Sequence, residues 1–148
     1  MRLHLPLPAT YETSTSPDGT LRAQLPSGAT LTVPPLRPIP EDIWYWASSA
    51  QEVDLPAGAH TRQVRVQEAR TALGWTISIV EKDTIAADGQ VLDHRLHVVH
   101  VFHEYGTVLS LRGTQGFEAD RDELLEIIAA GRPDFSSKQV VSIYQLFA

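Results

Sequence analysis

Nine of the ten prolines fall within the first 56 residues. Proline fixes its own φ and donates no backbone hydrogen bond, so it is tolerated at helix starts, sheet edges and turns. The N-terminal third therefore predicts short strands and turns, not long helices. Arg2 to Leu7 alternates and reads as an edge strand. Ser16-Pro17-Asp18-Gly19 and Pro26-Ser27-Gly28 have turn chemistry. Leu21, Ala23, Leu25 and then Ala29, Leu31, Val33 alternate around the second turn, which predicts a hairpin between about 20 and 33. Pro34 to Pro40 must be extended, and reads as a rigid connector with an SH3-type ligand as the alternative. Pro40-Glu41-Asp42 is a good helix start and predicts a short helix over 40–50. That helix carries Trp44, Tyr45 and Trp46, which cannot all face one core, so they are candidate partner-binding anchors.

Residues 61–113 read as an antiparallel β-meander. Val64 and Val66 alternate with polar residues, as do Trp75, Ile77 and Ile79. Ala86-Ala87-Asp88-Gly89-Gln90 closes a hairpin into the most unusual run in the chain, Asp93 to Tyr105, where His94, His97, His100 and His103 recur every third residue. On a helix the apolar residues of this run scatter; on a strand they fall on both faces, as an interior strand requires. Strand geometry then separates the histidines. His94 and His100 share one face with Leu96, Val98 and Phe102, while His97 and His103 share the other with Arg95, Val99 and Val101. Two residues six positions apart on a strand lie roughly 20 Å from each other. Zinc holds its nitrogens at about 2 Å, so these four histidines are metal candidates only if a neighbouring strand adds ligands. No cofactor or metal is expected. Arg95, His97 and His103 instead become candidate partner-binding residues on one strand face.

Beyond the meander, Asp120 and Glu123 form a capping box over a helix at about 120–130, with Leu124, Leu125 and Ile128 as its buried stripe. Gly131 and Pro133 mark its end. Residues 136–148 fit either a short helix or a strand. The expectation is one α+β domain over 1–148: a meander sheet of six to seven strands with an early helix and a C-terminal helix packed on it.

A net charge of −6 argues against nucleic acid or an anionic membrane as the main partner. The absence of cysteine removes disulfides, thiolate metal sites and a cysteine nucleophile. The N-terminus lacks the apolar core of a signal peptide, and no stretch is long and apolar enough to span a membrane, so a cytoplasmic location is expected. No phosphate loop, nucleophile elbow or His-Glu-x-x-His occurs.

The order of elements resembles the PsbP/DcrB-like α+β sandwich over residues 18–131. The carriers are Gly74-Trp75-Thr76-Ile77, Val108-Leu109-Ser110-Leu111-Arg112-Gly113, and Phe117 leading into Arg121-Asp122-Glu123-Leu124-Leu125. The resemblance implies a mostly non-enzymatic group of accessory subunits, lipoproteins and secretion-effector chaperones. It carries over no site residue. This chain lacks the signal and lipobox cysteine of some members, which leaves chaperone-like or adaptor roles. The expectation is thus a cytoplasmic protein-binding domain (chaperone, adaptor or immunity-type), binding another protein or itself as a homo-oligomer. A small metal-dependent or hydrolytic enzyme using His94 to His103, and a structural subunit of a larger assembly, are the alternatives.

Overall fold

A computed structural model describes residues 2–39, 55–71 and 73–134. The predicted helix over 40–50, with Trp44, Tyr45 and Trp46, and the segment 136–148 lie outside the described residues. Among the described residues the strands are β1 (Arg2–His4), β2 (Glu12–Thr15), β3 (Leu21–Gln24), β4 (Thr30–Val33), β5 (Arg37–Pro38), β6 (His60–Arg70), β7 (Thr76–Ile85), β8 (Val91–Phe102), β9 (Tyr105–Gly113) and β10 (Arg132–Asp134), and the helix is α1 (Phe117–Ala129). The main sheet runs β2-β3-β4-β9-β8-β7-β6, with β5 also on β9, and β1 pairs β10 separately. Every strand pairing among the described residues is antiparallel, as short connections dictate. The meander is thus joined to the N-terminal hairpin through β4 on β9, giving one sheet larger than the six to seven strands expected. The described part of the proline-rich third, residues 2–39, supplies only short strands, in keeping with its missing donors.

α1 covers one sheet face. Its Phe117, Leu124, Ile127 and Ile128 join Leu31, Leu96, Val98, Phe102, Leu109 and Leu111 in a single apolar cluster. Arg121 on the helix meets the buried Glu81 of β7 at 3.3 Å, which fixes the helix against the sheet. The expected capping box does not form. The helix starts three residues earlier, at Phe117, with Gly116 as a left-handed N-cap (φ 72°). Asp120 and Glu123 are engaged elsewhere: Ser27 Oγ donates to Asp120 at 2.6 Å and the Tyr11 hydroxyl to Glu123 at 2.8 Å. Tertiary partners outcompeted local capping.

At the other helix end, Gly131 stands where predicted, for a steric reason. A Cβ there would lie 2.8 Å from Leu5 Cδ2 and 3.1 Å from the Ile128 carbonyl oxygen. Gly131→Ala should therefore lower stability by about 1–2 kcal/mol through overpacking, read as a lower midpoint in thermal unfolding; an unchanged midpoint would show that Leu5 moves aside freely.

Candidate functional site

β8 lies between β7 and β9 and is buried on both faces, as the histidine run required. The face towards α1 is apolar, apart from His94 and His100. The opposite face is buried as well, yet polar: Asp93, Arg95 and His97 are 6%, 5% and 3% exposed, beside buried Lys82 and Thr84. Strand register builds this face row by row. Arg22, Thr32, Ser110 and His97 are successive cross-strand partners on β3, β4, β9 and β8. Thr30, Arg112, Arg95 and Lys82 form the next row on β4, β9, β8 and β7. Asp93 opposite Thr84 begins a third.

Asp93 organises the rows. Its Oδ1 accepts from Thr84 and, at 3.2 Å, from Arg95 Nε; its Oδ2 accepts from Arg112 Nε at 2.7 Å. Burial alone would push this carboxyl up, but the bonds from Thr84, Arg112 and Arg95 outweigh it and hold the group below the usual carboxylate range. His97 bonds Ser110 Oγ through Nδ1 at 2.8 Å, and its buried Nε2 has no hydrogen-bond partner among the described residues. Burial, reinforced by Lys82 and Arg95, pushes the imidazole down to about 3, so it is neutral at physiological pH.

Over the rows lies a cavity of about 1040 Å³. Among its described lining residues are Arg22, Arg37, Arg95 and Arg112, against the single carboxylate of Asp93. A concentration of guanidinium groups on a chain of net charge −6 is a local reversal of sign. Pro34, Val108 and Leu92 give it an apolar lip.

The structure brings Arg95 and His97 together here, as the floor of the cavity. His103 is elsewhere, in the β8–β9 turn at φ 56°, with its ring edge-on to Trp75 at 5.2 Å. His94 bonds Asp83 across the sheet at 2.6 Å, on the helix side. His100 stacks on Phe102 at 4.0 Å, with neither ring nitrogen hydrogen-bonded to the described residues. Among the described residues, no three His, Asp or Glu side chains converge as a metal-ligand set. Asp93, Arg112, Arg22 and the hydroxyls of β4 were missed as site residues. Nothing local in the sequence shows that β4 lies beside Ser110 and Arg112 of β9.

The sheet edge at β6 is less suited to binding. It is exposed over most of its length, including Val64 and Val66. A register shift between Gln63 and Arg65, together with Arg62, Arg65 and Arg70, disfavours addition of another strand.

The architecture is that of the PsbP-like α+β fold, as the order of elements implied. The chain is similar to the solution structure of cyanobacterial PsbP (CyanoP) from Synechocystis sp. PCC 6803, with a TM-score of 0.61 and 10% sequence identity over 89% of this chain and 86% of that one. No protein-family model and no curated protein sequence matches the chain. At this identity the likeness concerns the fold alone. No described helix is long and apolar enough to cross a membrane.

Proposed function

We propose that this chain is a non-catalytic protein-binding domain, acting in the cytoplasm as a chaperone, adaptor or immunity-type partner, and that it receives its partner on the face formed by β4, β9 and β8. The observation that supports this reading is the arginine-lined cavity over that face. Its floor is locked by Asp93, so the surface is preformed, and a preformed surface loses less entropy on binding. Concave polar surfaces with apolar lips are common recognition sites. The test is a photo-crosslinking amino acid placed at the exposed Thr30, on this face, and separately at the exposed Glu118, on α1. In extract from the native source, a discrete protein adduct should form from position 30 and be at least tenfold weaker from 118. Equal adducts from both positions, or none from position 30, would reject the reading.

A further inference from the structure

The partner-facing cavity also carries information about the chemistry of its occupant. Arg112 gives Asp93 only its Nε, and its terminal nitrogens have no hydrogen bond to the described residues. Its side chain is 50% exposed. Arg22, two strands away, is exposed too. Arg37 and Arg95 have further partners, so Arg22 and Arg112 are the groups that would meet a ligand. The nearby carboxylates are committed: Asp93 to Thr84 and two arginines, Asp120 to Ser27, and Asp18 to the Thr20 backbone N–H. Asp93 takes only the Nε of Arg112, and Asp18 acts on Arg22 through space with no hydrogen bond between the two, so both guanidiniums keep donors for a ligand.

Spacing narrows the ligand. Arg22 and Arg112 are separated by two strand spacings and one row, roughly 12 Å between Cα atoms at ~4.8 Å per strand and ~7 Å per row. In an extended chain, carboxylates on residues two to four apart lie about 7–13 Å from one another. One phosphate-sized anion reaches both arginines only if both side chains bend inward. The hydroxyls of Thr30 and Thr32 lie between, and Leu92 and Val108 offer apolar contact to the aliphatic parts of a polypeptide. A nucleic acid also has the right sign, but its binding rests on many phosphate contacts, and two exposed arginines on a chain of net charge −6 offer few.

We propose that this face binds an acidic polypeptide segment carrying at least two carboxylates, held by Arg22 and Arg112 as separate anchors. The proposal rests on the reading that a protein partner docks here, and it assigns that partner's chemistry. Guanidinium–carboxylate pairs supply the geometry, since each can be bidentate.

The experiment titrates the ¹⁵N-labelled protein with a ten-residue peptide of alternating Glu and Ala, with its Gln counterpart, and with inorganic phosphate, following the side-chain Nε–H signals of Arg22 and Arg112. The Glu peptide should shift both signals and saturate below millimolar concentration. Binding should weaken about tenfold or more when salt rises from low to several hundred millimolar, as expected for screened charges. Arg22→Gln, at an exposed position whose side chain makes no hydrogen bond to the described residues, should weaken it at least fivefold. Equal binding of the Gln peptide, no binding of the Glu peptide, or equal shifts from phosphate would each overturn the proposal. A partner crosslinked from Thr30 with no response to the Glu peptide would leave the docking face standing and reject the acidic class. A response to the Glu peptide with no adduct would reject the docking reading and keep the anchors.

Discussion

Asp93→Ala should be among the most damaging single changes in this chain, lowering unfolding free energy by about 3–5 kcal/mol, the usual result of breaking a buried ion pair from one side. The carboxylate is 7% exposed and accepts from three side chains on three strands, β7, β8 and β9. Removing it leaves the 6% exposed Arg95 side chain without its carboxylate and Thr84, fully buried, without its acceptor. Asp93→Asn keeps the shape and can still accept from Thr84, so its cost should be smaller. For a chain of this length each kcal/mol moves the midpoint by about 2–4 °C, so the alanine variant should melt roughly 6–20 °C below wild type. Urea unfolding checks it directly. A loss below about 1 kcal/mol for the alanine variant would mean that Asp93 does not hold the rows together.

The second large effect is loss of stability in mild acid. Burial, with help from Lys82 and Arg95, holds His97 down at about 3, and burial alone holds His100 at about 4. Both lie below the unfolded value of about 6.5. The folded state therefore keeps both rings neutral while the unfolded chain takes up protons. Their effect on stability is absent above pH 6.5, and stability is lost as pH falls from there towards about 4. Each histidine contributes up to about 1.4 kcal/mol per pH unit, so the pair makes the slope steep. Asp93, with a lowered folded pKa, adds a further loss only below the ordinary carboxylate range. His100→Leu isolates one term. His100 has no hydrogen-bond partner among the described residues and is fully buried, so an apolar replacement of similar size should stabilise by about 1–2 kcal/mol at neutral pH. It should also remove about half of the slope between pH 6 and 5. Urea unfolding at pH 7, 6 and 5 measures both. A wild-type slope that H100L leaves unchanged would show that His100 is not the neutral buried ring described above.

Much of the fold was legible because it is local. The turns at Asp18-Gly19 and Gly28, the hairpin, the long strands of the meander and the end of the helix at Gly131 were all read from neighbouring residues, and each is in place. The start of α1 was misread because Asp120 and Glu123 bind Ser27 and Tyr11, residues about a hundred positions away. A capping box is a local energy of about 1 kcal/mol, and distant hydrogen bonds can replace it.

The histidine strand shows the same division within a single element. Its sequence determined a period-two strand buried on both faces, because alternation is a property of the backbone. It also determined that His97 and Arg95 share a face and that His94 and His100 share the other. What lies opposite each residue depends on register, and register is set by pairing with β7 and β9 and, through β9, with β4. Only the tertiary structure could put Asp93 between Arg95 and Arg112, or bring Arg22 and the threonines of β4 alongside them. A strand encodes its two faces in its own residues; it takes the neighbouring strands to turn one of those faces into a site.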